Sequence, residues 1–292
     1  MGVIATLRLF RFPLVFTAIA DSAAGYLLAC SPADTRLPAL ALLAVASGGL
    51  YCFGMAMNDI ADREIDGRLA PHRVLPSGKI SLKGALTAAC AALALSCAAI
   101  LLVPEARVGQ RLILWGAVVA AILGYDFIIK LSSMMGFIRA CNFALGASVG
   151  TDITDWDVAY LASPLFLYVT ALTFVSTLEE GGLSRRRLAA GAGAMGVAVL
   201  LVSHWRRYWN DSIPIVASAL VTSVILAGWI AWRAVNARDK KGIMVFVRDW
   251  VGGIIVLEGT LLMSAGLLIP GLIVASLVLP AALCVVWFKK LG

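Results

Sequence analysis

The feature that most constrains this chain is the regular recurrence of apolar runs along its whole length. Runs of about 16–22 residues lie near 9–30, 39–57, 82–103, 110–129, 135–150, 158–177, 188–204, 213–234, 247–268 and 271–288. Each is close to the roughly 20 residues a helix needs to cross the hydrocarbon core of a bilayer. With no water there to bond the backbone, a helix is the form each run must take. The composition agrees. Of 292 residues 61% are hydrophobic and only 14% are charged, against roughly 25% charged in a soluble protein. A soluble enzyme, a disordered tail and a disulfide-stapled secreted domain are all excluded. The six cysteines, Cys30, Cys52, Cys90, Cys97, Cys141 and Cys284, are scattered without CxxC spacing. They read as small core thiols rather than zinc ligands. The expectation is an all-α, polytopic membrane bundle.

Charge sorting sets a topology. The net charge of +7 would suggest nucleic acid in a soluble protein; here it reads as the positive-inside bias, and no nucleic-acid partner is expected. Pro270-Gly271 splits the last apolar stretch into two spans, which makes ten. If the N-terminus is cytoplasmic, eighteen Lys and Arg fall inside and five outside, with Arg139 left within a span. This places both termini on the cytoplasmic side of the cell inner or plasma membrane. The string Gly191, Gly193, Gly196 spells GxGxxG. It lies in an apolar span with no strand before it, so helix packing through small residues accounts for it better than a dinucleotide site.

Chemistry concentrates after the second span, in Asn58-Asp59-Ile60-Ala61-Asp62-Arg63-Glu64-Ile65-Asp66. On a continuing helix Asn58, Asp62 and Asp66 fall at i, i+4 and i+8 and share one face, which Asp59 borders. Clustered carboxylates repel unless a cation sits among them. Oxygen-only ligands suit Mg²⁺, which uses one or two carboxylates and completes its shell with water and phosphate. Arg68, His72, Arg73 and Lys79 follow at once. Acids for a metal beside bases for phosphate point to a diphosphate site; the alternative is an acidic, solvated helix end.

The stretch Asn58 to Asp66 resembles the NDxxDxxxD motif of the UbiA family of membrane prenyltransferases. Arg73-Val74-Leu75-Pro76-Ser77-Gly78 is similar to that family's RPLPSG, with Val74 in place of a proline. Tyr125 and Lys130 resemble its Tyr/Lys pair, spaced one residue wider. The resemblance implies a single transmembrane prenyltransferase domain over 1–292, with about nine core helices around a central cavity, to which this chain adds a tenth. It further implies a transferase of alkyl groups other than methyl. Such an enzyme binds a prenyl diphosphate through Mg²⁺ and passes the isoprenyl group to a lipophilic or aromatic acceptor within the membrane lipid. Asn58, Asp62 and Asp66, with Asp59 beside them, would then hold the metal. Asp62, Asp66 and Lys130 would carry catalysis, and Arg73 and Tyr125 would bind substrate.

One part of the family pattern is missing. Its second motif, DxxxD, corresponds here to Ser176-Thr177-Leu178-Glu179-Glu180-Gly181-Gly182, which holds no aspartate. Glu179 or Glu180 is expected to take a second metal; adjacent helical residues point about 100° apart, so one of the two serves. The alternative is that both face water opposite Arg185, Arg186 and Arg187. The altered motif also admits a second reading of the chain, as a protein that binds or transports a lipophilic metabolite. Arg139 within a span costs about 2.5–3.5 kcal/mol on insertion scales and defaults to function. Arg139 and Asn142, three apart, share a face and are expected to contact substrate. This pattern, with the Glu-bearing loop, resembles the EboC-like branch of the family. The alternative for Arg139 is a buried ion pair with Asp126 or Asp21. Asp21 and Glu258 are expected to face the bundle interior.

Overall fold

The structure is a computed structural model, and it describes residues 2–30, 34–104, 107–182, 184–202 and 213–290. A short helix α1 (Val3–Leu9) leads through a 3-10 turn (Phe12–Leu14) into α2 (Val15–Ala29). Then follow α3 (Leu37–Ala61), α4 (Arg63–Leu69), α5 (Leu82–Leu102), α6 (Val108–Phe127), α7 (Ser132–Ala147) and α8 (Trp156–Ser176). The chain continues through α9 (Leu178–Gly181), α10 (Arg185–Val202), α11 (Ile213–Asn236), α12 (Lys240–Ser264), α13 (Leu268–Ser276) and α14 (Val278–Lys290). Every apolar run coincides with a helix, the last being α13 and α14 in succession. Among the described residues no strand occurs.

Among the described residues seven helical segments are long and apolar enough to cross a membrane. Those on α7, α10 and α12 are shorter or carry charges, as Arg139, Arg185 to Arg187 and Glu258 show. Large apolar side chains such as Leu95, Ile113, Ile225 and Ile273 stand exposed on the outward faces. That surface has no aqueous counterpart of its size in a monomer and is satisfied by lipid. The chain is an integral membrane protein.

Packing inside the bundle rests on small residues, because lipid supplies no hydrophobic drive between helices. At the crossing of α2 and α7 two glycines face the opposite backbone. A Cβ on Gly25 would lie 2.0 Å from the Phe143 carbonyl oxygen, and one on Gly146 would lie 1.9 Å from that of Ser22. Gly49 meets α5 in the same way, 2.7 Å from the Ala92 oxygen. The GxGxxG string is a helix surface, as expected, but its glycines are not equivalent. Only Gly191 is pressed close, against Val175; Gly193 has nothing within 4 Å. His204, Trp205, Arg206 and Arg207 lie outside the described residues.

Among the described residues three apolar clusters fill the bundle, the smallest around Tyr26, Ala39 and Leu43. One joins α2, α8, α10, α11 and α12. Another joins α3, α5, α6 and α7 beneath α1. A cavity of about 200 Å³ opens among α2, α3, α6 and α7, next to the end where α3 stops and α7 starts.

The close crossing of α2 and α7 carries a prediction. Gly146→Ala should lower the thermal midpoint of the purified protein by an amount equivalent to about 1–3 kcal/mol, the usual cost of overpacking. Gly193→Ala should leave it unchanged or raise it slightly. Equal melting of the two variants would show that α2 and α7 can separate freely.

Candidate active site

The acidic motif straddles a helix junction. α3 ends at Ala61, Asp62 sits between it and α4, and Asp66 lies on α4. The junction keeps helical register: the amides of Asp62, Asp66 and Ala70 bond the carbonyls of Asn58, Asp62 and Asp66 at 2.8–2.9 Å. The expected common face of Asn58, Asp62 and Asp66 therefore survives the break. Arg73 follows in a tight loop that closes at Gly78, whose φ of +71° favours glycine. Val74, at the position of the family's proline, is buried in the apolar cluster beneath α1.

Each carboxylate of the cluster has a named partner. Lys130 Nζ donates to both oxygens of Asp62, at 2.5 and 2.7 Å. Arg73 Nη1 donates to Asp66 Oδ2 at 2.5 Å. Arg11 Nη2 donates to Asp59 Oδ1 at 2.9 Å. Asn58 uses its whole amide: Nδ2 donates to Asp126 Oδ1 at 3.0 Å and to Asp62 Oδ2 at 3.3 Å, while Oδ1 accepts from Arg11 at 3.4 Å. The structure thus unites the predicted Asn58, Asp59, Asp62, Asp66, Arg73 and Lys130 at one end of the bundle.

It adds two residues that the motif did not indicate. Arg11 lies between α1 and the 3-10 turn in a left-handed conformation, φ 44° and ψ 47°. That conformation is uncommon for a side-chain-bearing residue. It ends α1 and starts the chain toward α2, while the Arg11 side chain reaches the acids. Asp126, next to Tyr125 at the end of α6, completes the ring. A signal for it was available, since Asp126 precedes Lys130 by one helical turn.

The second motif lies on a separate element. Glu179 is half-buried on the one-turn helix α9, which packs against α8 and α12. The Glu180 side chain lies outside the described residues. Among the described residues no three His, Cys, Asp or Glu side chains converge on one point. A magnesium ion does not require such a cage, because it uses one or two carboxylates and keeps water and phosphate for the rest. Asp62 and Asp66, two carboxylates on one helical face held by exposed basic side chains, fit that requirement.

The cavity lies directly inside this mouth. Arg11, Asn58, Tyr125 and Asp126 line its upper end; Leu50, Gly54, Met55, Val118, Ile122, Met135 and Ile138 form its walls; Ala18, Ser47, Tyr51, Arg139 and Asn142 line its floor. The expected shared face of Arg139 and Asn142 is observed. Of the two ion-pair partners considered for Arg139 the structure selects Asp21, with Nη2 2.8 Å from Oδ1. Arg139 nevertheless also lines the cavity, so the ion pair and the cavity contact coexist. Asn142 Nδ2 donates to the Ala18 carbonyl and to Asp21, at 2.9 and 3.0 Å, and Oδ1 accepts from Ser47 Oγ at 2.8 Å. Asp21 and Glu258 are both buried within the bundle, as expected.

The sequence pattern of the UbiA prenyltransferase family matches residues 15–248. This chain belongs to the UbiA prenyltransferase family. The match spans every helix that builds the mouth and the cavity except α1 and the turn bearing Arg11. Solved structures share the fold. A UbiA homologue from Archaeoglobus fulgidus bound to GPP and Mg²⁺ is 17% identical, with a TM-score of 0.63 over 93% of this chain and 99% of that one. A structure from work on digeranylgeranylglyceryl phosphate synthase in membranes is 20% identical, with a TM-score of 0.63 over 91% and 98%. The apo UbiA homologue from Aeropyrum pernix K1 is 20% identical, with a TM-score of 0.61 over 83% and 96%. No curated protein matches.

The Arg11–Asp59 pair generates a stability prediction. Asp59 is buried while Arg11 is 38% exposed, so the pair lies between the weak surface class and the strongly coupled buried class. Arg11→Met should destabilise the protein by about 1–3 kcal/mol, because it leaves a buried carboxylate unpaired. Adding Asp59→Asn should recover part of that loss. A double-mutant cycle in detergent measures the coupling, and additive effects would show that the pair contributes nothing.

Proposed function

We propose that this UbiA family member is an integral-membrane prenyltransferase. It transfers an isoprenyl group from a prenyl diphosphate to a lipophilic or aromatic acceptor, with Mg²⁺ as cofactor. The single observation that carries the reading is that Asp62 and Asp66, with Lys130 and Arg73 upon them, adjoin Asn58, which bonds Asp62 and lines an apolar cavity. The GPP and Mg²⁺ held by the Archaeoglobus fulgidus homologue support the same chemistry. Residues 1–292 act as one prenyltransferase domain. Eighteen inner against five outer basic residues support a multi-pass protein of the cell inner or plasma membrane, with the mouth and both termini cytoplasmic.

Asn58, Asp62 and Asp66, with Asp59 beside them, would hold the first metal, and Glu179 or Glu180 a second. Mg²⁺ supplies Lewis acidity, neutralising the charge that diphosphate gains as it leaves. Lys130, Arg73 and Arg11 are the chain's own contribution to that task. In the ligand-free protein these cations rest on carboxylates. With substrate present they would turn to the diphosphate oxygens, since their side chains are 38–45% exposed and the metal would take their place on the carboxylates. The allylic C–O bond breaks and its electron pair leaves with the diphosphate. The acceptor supplies the pair for the new bond to the isoprenyl carbon and gives up a proton, which passes to the departing diphosphate. Tyr125 and the walls from Leu50 to Ile138 position the isoprenyl unit and keep water from the cation.

Prenyl transfer in membranes, with a panel of diphosphate donors and acceptors, tests this directly. Asp62→Ala and Asp66→Ala should each lower turnover at least about 10²-fold, the scale for losing one charge-stabilising group, while leaving the melting midpoint within a few degrees. Removal of Mg²⁺ should do the same. Full activity of both variants would refute the site assignment.

The loop Ser176–Gly182, which carries no aspartate, favours a second reading: a UbiA-like protein that binds or transports a lipophilic metabolite without transfer. The two readings separate at Glu180. Loss of activity in Glu180→Gln, with retention or gain in Glu180→Asp, supports the enzyme. Tight binding of a prenyl diphosphate analogue with no product from any acceptor supports the carrier.

A further inference from the structure

The floor of the cavity has a chemistry distinct from its mouth. α3 and α7 run antiparallel across the cavity, because the end of α3 and the loop before α7 meet at the Asp62–Lys130 pair. Deeper in, the Ser47–Asn142 hydrogen bond of 2.8 Å ties the two helices together. One helical turn from that bond toward the mouth stand Tyr51 on α3, four residues after Ser47, and Arg139 on α7, three residues before Asn142. These two side chains therefore face the same level of the cavity, and both line it. The Tyr51 hydroxyl is buried and has no hydrogen-bond partner among the described residues, and the same holds for Arg139 Nε. Of the acceptors nearby, Asn142 Oδ1 is taken by Ser47, and the Ala18 carbonyl and Asp21 Oδ2 by Asn142. Asp21 Oδ1 and the Glu258 oxygens are buried and accept no hydrogen bond from the described residues, so neither satisfies the Tyr51 hydroxyl or Arg139 Nε. A buried, unpaired donor is costly and calls for a ligand atom.

Charge decides what that atom is. The guanidinium of Arg139 is already balanced by Asp21 at 2.8 Å. A second buried acid, Glu258 of α12, lies within electrostatic reach of Asp21 and Arg139. Among the described residues no other cation lines the floor. A carboxylate or phosphate placed there would add a negative charge beside buried acids whose one guanidinium is already paired, in a low-dielectric interior where such crowding is penalised most. An uncharged oxygen incurs no such penalty and still accepts from Tyr51 and Arg139. Tyr51 precedes Asn58 by seven residues on one continuous helix, so this level lies about 10 Å inside the mouth.

We infer that Tyr51 and Arg139 form the acceptor-recognition step of the cavity and select an uncharged ketone, quinone or hydroxyl oxygen over a carboxylate or phosphate. Asp21 and Glu258 act as positioning residues that set this preference through Arg139. The inference rests on the prenyltransferase reading for the word acceptor, but the binding preference itself does not require turnover.

Two near-isosteric probes test it, 2-acetylnaphthalene for the uncharged oxygen and 2-naphthoate for the carboxylate. Binding to the full chain in lipid nanodiscs is read by naphthyl fluorescence, with empty nanodiscs subtracted. The ketone should bind at least tenfold more tightly than the carboxylate. Tyr51→Phe should weaken the ketone about five- to tenfold, as expected for one lost buried hydrogen bond. Asp21→Asn should raise the affinity for 2-naphthoate at least tenfold. If that variant fails to fold, Glu258→Gln, which removes the second acid and keeps its shape, should raise it in the same sense. Equal binding of the two probes, or a Tyr51→Phe variant that binds the ketone unchanged, would overturn the inference. Geranyl thiodiphosphate binding with Mg²⁺, measured on the same samples, keeps the two readings apart. Its retention beside a failed probe pattern refutes only the floor assignment, whereas its absence from the unaltered protein counts against the prenyltransferase reading and leaves the probe result to decide the floor.

Discussion

The interaction on which the interior depends is the three-way bonding of Asn142. Its amide joins the Ala18 carbonyl and Asp21 on α2 to Ser47 on α3. In hydrocarbon no water can replace a lost partner, so the three helices are held in one register or the polar groups are stranded. The node exists only because α2 and α7 touch backbone to backbone at Gly25 and Gly146. That close approach lets the short side chains of Asn142 and Asp21 span the gap. Asp21 is then fixed at a spot where Arg139 can reach it, and Arg139 is fixed where it lines the cavity. Packing by the smallest residues thus places the largest charge.

The mouth is built on a different principle. Its acids lie on a local helical face, which the break at Asp62 does not disturb because the backbone bonds from Asn58 to Ala70 keep i to i+4 spacing. The loop from Ala70 to Gly78 then folds back so that Arg73 meets Asp66 only seven residues away. Little long-range order is needed for this half of the site. Lys130 and Asp126 arrive from the far end of α6, 68 residues on in each contact, and Arg11 from the segment before α2. These longer contacts close the ring around Asn58.

This difference explains what was legible in the sequence. The helical form of the apolar runs follows from run length, and the face of Asn58, Asp62 and Asp66 follows from helical spacing; both are local, and both hold. Arg73 and Lys130 entered through motif resemblance, and their side chains rest on Asp66 and Asp62. Partners fixed by tertiary order were not legible. Asp126 and Asp21 were equal candidates for Arg139, because spacing says nothing about whether α2 or α6 packs beside α7. Arg11 looked like one of many inner basic residues, and its role depends on a left-handed turn that residue type does not announce. Tyr51 sits in an apolar run and is indistinguishable there from a lipid-facing aromatic. The glutamates of the second motif stay undecided for a related reason: two adjacent acids on a one-turn helix carry no spacing that selects between them.

The mouth and the floor also differ in how firmly their charges are committed. Lys130, Arg73 and Arg11 are 38–45% exposed, whereas the Arg139 side chain is 9% exposed and that of Asp21 fully buried. The exposed cations keep contact with water, so an ionic ligand can draw them over while an incoming metal takes their place on the carboxylates. Breaking a buried pair leaves an uncompensated charge in the low-dielectric interior, at about 3–5 kcal/mol. The mouth can therefore exchange ions and the floor cannot. A molecule with one strongly anionic end and an otherwise apolar body matches the first property. The second restricts whatever meets that body inside the cavity to oxygen without charge. The same helices, α3 and α7, carry both levels, separated by about two helical turns, or about 10 Å. That separation leaves apolar wall between a diphosphate at the mouth and an oxygen at the floor, which is where a carbon–carbon or carbon–oxygen bond between the two partners would have to form.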